Sequence, residues 1–431
     1  MKVVAFLPVK GTSSRIESKN IKLLDGIPLF LHTLDKLMKI KCIDEVYLDT
    51  ECEDVIALAS EYSCNILHRD PALANNKTDG NKLFMNEVRQ VEADIYIQIL
   101  ATSPFISSTS IVEGVEKVKN DNSYDSAVLL HKEKQYNWND EGPLYDVDSI
   151  PNSVDLPDTI TETMGLYIIK RDAALKLNKR LGENPYHLLA SPLEKVDVNF
   201  PEDFELASII SAGLREKRVK LLDNLKNHLS SPMLSDILDD LGFKNQVVGG
   251  FSSLLEQKIF GPAKTLKLRK MDDGEDFKGI YDALDSYDTI VPNDIIVVEN
   301  EVPDYAYFGE LNANMAIRSG ATGVIVGGVT RDCSKVLETG LPVYAKGSFC
   351  QDVRGRAVME SYNKSISLFG VNVSPGSLIF ADSEGVVVIP FEVERQVIER
   401  VFEVLEVEKN VLVDIAKGKS VRDVIDEFGA F

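Results

Sequence analysis

The chain has 431 residues, 44% of them hydrophobic and 27% charged, which predicts two or three folded globular domains. Its formal net charge of -21 repels phosphate backbones, so wholesale nucleic-acid binding is excluded and any phosphate site must be built locally from placed Lys and Arg. Five scattered cysteines (Cys42, Cys52, Cys64, Cys333 and Cys350), odd in number and without a Cys-x-x-Cys pair, exclude a disulfide framework and a zinc cluster.

The opening "MKVVAFLPVKG" is too short an apolar run for a signal peptide. No later stretch reaches the ~20 apolar residues of a membrane helix. The expectation is a cytoplasmic protein with no membrane partner. From here short β-branched runs alternate with longer amphipathic ones, the rhythm of βαβ units and a mainly parallel sheet. "VVAFLPV" is followed by "PLFLHTLDKLMKI", in which Leu29, Leu31, Leu34, Leu37 and Met38 recur at helical spacing. The strand "EVYLDT", a helix over "EDVIALASEY" and "CNILHR" come next. "ADIYIQILA" and "SAVLLHK" read as central strands with the helix "SIVEGVEKVKN" between them, and "TMGLYIIK" and "EKVDVNF" close this half.

Between Leu206 and Lys226 the strand rhythm gives way to a helix ending in the charge-dense "REKRVKLLDNLKN", which places a domain boundary near residue 220 and gives domains of 1–220 and 221–431. The second half opens with "SSPMLSDILDDLG", a helix with Ser231 as cap and Pro232 at its first position. "YDTIVPNDIIVVEN", "TGVIVGG", "LPVYAKG", "ISLFGVNV" and "GSLIFADSEGVVVIP" read as strands between Gly, Pro and Asn turns, before a long terminal helical pattern that ends at Gly418.

The segment "KGTSSR" leaves the first strand for a helical region. Gly11, Thr12, Ser13 and Ser14 permit close approach of backbone N–H groups to an anion, and Lys10 and Arg15 supply charge. The spacing is not that of a Walker A loop. "LPVKGTSSRIESKNIKLLDGIPLF", followed in order by "VYLDTECEDVIALA", "HRDPALA", "YIQILATSPFI", "ETMGLYII" and "VDVNFPEDFELA", resembles the cytidylyltransferases that activate sialic acids and related 2-keto-3-deoxy sugars, over roughly residues 1 to 210. The resemblance implies an α/β, Rossmann-like nucleotidyltransferase domain with a mainly parallel sheet. It implies that Lys10, Gly11, Thr12, Ser13, Asn20 and Arg69 hold CTP, that Arg15 and Lys19 act in catalysis, and that Gln98 faces the sugar. The family's late Asp-x-Asp, which brings Mg²⁺ (or Mn²⁺) to the triphosphate, falls on Asp197 and Asn199. The Asn removes one charge, for which Asp203 can compensate unless it caps the helix that follows.

In "FGELNANMAIRSGATGVIVGGVTRD", Glu310 and Arg331 have twenty residues between them, and Asp332 follows at once. A helix and a strand fill the interval, a path that can return Arg331 and Asp332 to the helix start; a surface ion pair would look the same in sequence. This block, with "LPVYAKG" and "GVNVSPGSLIFADSEGVVVIP", resembles the family of the regulator of ribonuclease activity A, which includes metal-dependent 4-hydroxy-4-methyl-2-oxoglutarate aldolases. The resemblance implies a C-terminal α/β domain of the swivelling type. It gives Asp332 as metal anchor, Arg331 as catalytic partner of a pyruvate enolate and Glu310 as the residue acting on a base water. Backbone amides near Leu311 and Asn312 would hold the pyruvate carboxylate, and trimers or hexamers would form through this domain. The combined expectation is CTP-dependent activation of a keto sugar acid fused to a pyruvate-aldolase-like domain acting on pyruvate or an oxo acid; the alternative is a non-catalytic C-terminal assembly or regulatory module. The five histidines and Trp138 read as packing or surface residues.

Overall fold

The computed structural model describes residues 1–75, 77–417, 419, 420 and 422. They form two compact units, Met1–Ala212 and Gly213–Phe431. The division falls inside one continuous helix, Pro201–Lys226.

Seven strands form the sheet of the first unit: β1 (Val3–Pro8), β2 (Glu45–Thr50), β3 (Asn65–His68), β4 (Ile95–Ile99), β5 (Ser126–Lys134), β6 (Asp158–Lys170) and β7 (Pro185–Leu189). Their order is β7-β5-β6-β4-β1-β2-β3. β1 pairs in parallel with β2 and β4, β2 with β3 and β5 with β7, while β6 runs antiparallel to both of its neighbours. The first strand has no outside face. Val3, Ala5 and Leu7 pack on one side with the helices α1 (Leu29–Met38) and α3 (Ser108–Asn120), and Val4 and Phe6 pack on the other with α2 (Gly80–Gln90). From β1 the chain builds β2 and β3 to one side, then returns to place β4 on the other. That reversal opens a crevice beyond the carboxyl end of β1, where open α/β sheets bind ligands. The "KGTSSR" segment starts there.

Three local expectations are corrected. "EKVDVNF" forms no strand: Val198 N donates to Thr102 O at 2.8 Å, while Asn199 N and Phe200 N donate to the Asp203 carboxylate at 2.9 and 2.8 Å. Those backbone donors are taken by a loop and by the start of α4 (Pro201–Lys226). The seventh strand is instead "PYHLL".

In the second unit α5 (Ser231–Asp240) is capped by Ser230, whose hydroxyl accepts from Met233 N at 3.3 Å. Ser231, expected as the cap, is the first helical residue and donates its hydroxyl to Asp382 at 2.6 Å. The central strands β8 (Ile259–Lys270), β9 (Ile295–Asn300), β10 (Gly323–Val326) and β11 (Val343–Ala345) run parallel. Against the long β8, β12 (Ala357–Tyr362) and β13 (Leu378–Ala381) pair antiparallel, and β14 (Val386–Ile389) completes a hairpin with β13. "YDTIVPNDIIVVEN" becomes a strand only from Ile295. Its first residues end a 3₁₀ helix, and the turn is fixed by Pro292, by Asn293 at φ 77° and by Asp294, whose carboxylate accepts from Val291 N at 2.8 Å. Helices α6 (Glu310–Ser319), α7 (Cys333–Thr339) and α8 (Glu394–Ala416) complete the elements used below. Gly418, the end of the expected terminal pattern, lies outside the described residues. Among the described residues no helix is long and apolar enough to cross a membrane.

Candidate functional site

In the first unit the loop after β1 is tied down at both ends. Gly11 N donates to the Glu51 carboxylate at 2.8 Å, and a Cβ on Gly11 would lie 2.7 Å from the Cys52 side chain, so the backbone there requires glycine. Asn20 donates its amide to Lys10 O at 2.9 Å, and Ser13 Oγ accepts from Ile16 N at 3.4 Å. Thr12 and Arg15 remain exposed, with the Arg15 guanidinium 5.1 Å over the Phe200 ring.

Lys19 is buried and donates Nζ to Val198 O at 2.7 Å. Burial pulls its ammonium down to about 8; Asp197 and Asp203 oppose that shift, and Arg15 and Lys10 reinforce it. Those four charges therefore lie within electrostatic range of Lys19. The loop cations and the late carboxylates share one locale, although about 180 positions separate them in sequence.

The late carboxylates differ in how they are used. Asp203 Oδ2 is engaged by the two backbone donors at the start of α4. Asp197 accepts the Asn199 amide on Oδ2, and its Oδ1 is buried with no hydrogen-bond partner among the described residues. A divalent ion that binds through one protein carboxylate, phosphate oxygens and water fits such an open oxygen. Asp197 would hold it.

Beneath the crevice lies a buried polar network around Asp49 and Glu87, two residues absent from the sequence expectations. Arg69 is buried and bonds Asp49 through Nε (3.1 Å) and Nη2 (2.9 Å), with Glu51 a further 3.8 Å ion-pair contact. Gln98, 1% exposed, donates to Glu87 Oε2 at 2.7 Å. Glu87 is wholly buried, and desolvation, with the Asp49 charge beside it, holds its carboxyl well above the usual range. Its Oε1 has no donor facing it, which a protonated Glu87 giving its hydrogen to Asp49 resolves. Arg69 and Gln98, expected at the nucleotide and the sugar, thus sit in the floor of the crevice, with Arg180 reaching Gln98 Oε1 at 3.4 Å.

In the second unit the chain returns as the spacing suggested. Phe308 bridges Thr330, Arg331 N donates to Phe308 O at 3.0 Å, and a Cβ on Gly309 would lie 2.6 Å from Asp332 Oδ2. Arg331 and Asp332 therefore rest against the residue before Glu310, the exposed first residue of α6. Gly327 and Gly328 make this route possible, because a Cβ on either would fall 2.4 or 2.6 Å from a backbone oxygen. Arg331 Nε lies 3.7 Å from Asp332 Oδ2 and its Nη2 2.7 Å from Asp352, a partner absent from the sequence expectations; among the described residues Nε has that ion-pair contact but no hydrogen-bond acceptor. Asp332 adopts φ 52°. Leu311 is 78% exposed, and Asn312 donates to Tyr307 O at 2.8 Å. Among the described residues no group of three or more His, Cys, Asp or Glu is gathered for a metal ion. An ion here would take few protein ligands, with Asp332 in its Gly309 cradle the one that fits.

Residues 4–211 match the family described as Cytidylyltransferase, and residues 231–388 match RraA-like, Aldolase/RraA. Similar proteins include Protein DlpA of Legionella pneumophila, 29% identical over 48% of this chain and 34% of that protein. Uncharacterized protein MJ0644 of Methanocaldococcus jannaschii is 30% identical over 47% of this chain and 93% of that protein. The N-acylneuraminate cytidylyltransferase of Escherichia coli is 21% identical over 53% of this chain and 57% of that protein. The chain thus spans about a third of DlpA and little more than half of the E. coli enzyme.

The buried network makes a stability prediction. Glu87→Gln copies the protonated acid and is expected to cost no more than about 1 kcal/mol, whereas Asp49→Asn leaves Arg69 without its main counter-charge and costs about 3–5 kcal/mol. A carboxyl raised by folding adds stability that is fully present below the ordinary carboxyl range and is lost as pH climbs through its folded value. Equilibrium urea unfolding at several pH values should show that slope in the parent and a flatter one in Glu87→Gln.

Proposed function

We propose that this chain, which joins a member of the cytidylyltransferase family (residues 4–211) to a member of the Aldolase/RraA family (residues 231–388), transfers CMP from CTP to a sialic-acid-like or other 2-keto-3-deoxy sugar acid, releasing pyrophosphate. The observation that carries the reading is the gathering of Lys10, Arg15 and Lys19 with Asp197 around the crevice at the end of β1. Asp197 would hold Mg²⁺ or Mn²⁺ through its open Oδ1, and the ion would offset charge on the triphosphate. Lys10, Arg15 and Lys19 supply the remaining positive charge, and the small residues Gly11, Thr12 and Ser13 let the backbone come close. Asn20 fixes the loop through Lys10 O. Arg69 acts at the nucleotide through the shape it imposes on Asp49 and Glu51, and Glu51 in turn sets Gly11. Gln98 presents its amide to the acid. Asp203 serves by setting Asn199 beside Asp197.

For residues 221–431 the proposal is a metal-dependent pyruvate aldolase-like activity on a pyruvate-derived oxo acid. Asp332 would anchor the ion, Arg331 would stabilise the enolate oxygen, and Glu310 would move a proton through water. The amides at Leu311 and Asn312, at the start of α6, would receive the carboxylate. The reading rests on the return of Arg331 and Asp332 to Gly309. Assembly into trimers or hexamers through this domain and a cytoplasmic location belong to the same proposal.

With CTP, Mg²⁺ and a panel including N-acetylneuraminate and 3-deoxy-manno-octulosonate, the full chain should release pyrophosphate with at least one acid; silence with all of them counts against the activity. CTP affinity should weaken as pH rises through about 8, where Lys19 sheds its proton. Lys19→Arg, charged throughout, should flatten that profile in calorimetric titrations. Pyruvate release from 4-hydroxy-4-methyl-2-oxoglutarate should fall on the order of 100-fold or more in Arg331→Ala. A parent chain that releases none while keeping its oligomeric state would make the second unit an assembly module.

A further inference from the structure

We propose that Arg180 is the anchor for the carboxylate of the acid substrate, an inference that rests on the cytidylyl-transfer reading of the first unit. Strands β6 and β4 lie side by side with Tyr167 opposite Gln98. After a short helix ends at Asn178, in the left-handed region at φ 54°, the chain brings Arg180 over this pair. Its guanidinium lies 3.8 Å over the Tyr167 ring, donates through Nη2 to the Tyr167 hydroxyl at 2.9 Å and through Nη1 to Gln98 Oε1 at 3.4 Å. The opposite face is closed by the first residue of α2, where a Cβ on Gly80 would fall 2.7 Å from Nη1 and 2.8 Å from Cζ. The planar group is thus held between a ring and a glycine.

What this cation lacks is a counter-charge. Its contacts are a phenol, a carboxamide and a backbone, and among the described residues it forms no ion pair. Glu162 is reached only through the Tyr167 hydroxyl, which donates to it. The amino end of α2 adds positive potential at the same point. Asp79, the carboxylate at that helix start, is occupied by Lys82 N at 2.9 Å and by the Lys82 ammonium at 3.4 Å. Two of the five guanidinium hydrogens are used, so the fork that grips a carboxylate with paired bonds is still available. Gln98 is oriented to assist. Its Nε2 is committed to Glu87, which turns Oε1 towards Arg180. An acidic chain that places an uncompensated arginine against a helix amino end has built a site for an anion, and a 2-keto-3-deoxy acid brings one.

The test compares the parent, Arg180→Met and Arg180→Lys for pyrophosphate release with N-acetylneuraminate, 3-deoxy-manno-octulosonate and their methyl esters, and measures CTP binding by calorimetry in each. The anchor predicts that Arg180→Met raises KM for the acid on the order of 10- to 100-fold. It also predicts a CTP affinity within about twofold of the parent and loss of the parent's preference for acid over ester. Arg180→Lys should fall between the two, because it keeps the charge without the fork. An active parent with an unchanged KM in Arg180→Met overturns the anchor alone. If Arg180→Met no longer binds CTP, an Arg180→Lys KM equal to the parent's overturns it. A parent that turns over no acid overturns the cytidylyl-transfer reading and the anchor with it.

Discussion

Strands buried on both faces leave a sheet only one place to keep charge, the edge where the strands end. In the first unit β1 is flanked by helices on each side, so the charged residues that follow β1, β2 and β3 emerge together at the carboxyl edge: Lys10, Glu51 and Arg69. A charge that stays below the edge must be paired or neutralised, since an isolated buried ion is far too costly. Asp49 and Arg69 take the first course. Glu87 takes the second, by keeping its proton.

This constraint divides the basic residues into two kinds. Arg69 is consumed by its neighbours, and its positive charge is largely cancelled before any ligand meets it. Arg15 is exposed, Lys19 is buried and donates to a carbonyl, and Arg180 faces a phenol and an amide. In a chain of net charge -21, a local anion site requires lysine and arginine whose charge is not consumed by a direct carboxylate bond. The second unit follows the same plan with fewer charges. The strand β10 ends in two glycines that let the chain slip past backbone oxygens, and Arg331 and Asp332 reach α6 by that path.

The parallel core was legible because β-branched runs alternating with amphipathic ones have few other solutions. The twenty-residue interval from Glu310 to Arg331 was legible for the same reason, as one helix and one strand bring the chain back to where it began. The strand expected over "EKVDVNF" failed because hydrophobic alternation says nothing of a competing acceptor, and Asp203 takes the backbone donors that a strand would have needed. Ser230 displaced Ser231 as the cap of α5 because the buried Asp382 carboxylate claims Ser231, a contact across 151 positions that no local pattern contains. Asp49, Glu87, Arg180 and Asp352 went unseen for one reason. Each matters through a partner far along the chain, and a single Asp, Glu or Arg in sequence carries no mark of that partner.

The buried polar atoms that stay unpartnered bear on the two sites together. A native fold leaves few such atoms, each at a cost of about 1–3 kcal/mol. Among the described residues they include Asn20 Oδ1, Glu51 Oε2, Glu87 Oε1 and Asp197 Oδ1 in or beneath the first crevice, and Arg331 Nε in the second site. Glu87 explains its own by holding a proton, and Glu51 by the nearby Arg69. Arg331 Nε likewise has Asp332 Oδ2 at 3.7 Å, whereas Asn20 Oδ1 and Asp197 Oδ1 have no such internal account. Asp197 presents a lone pair, which a bound cation would satisfy. A fold that bears that cost beside the crevice at the end of β1 has the energetics of a protein completed by what it binds.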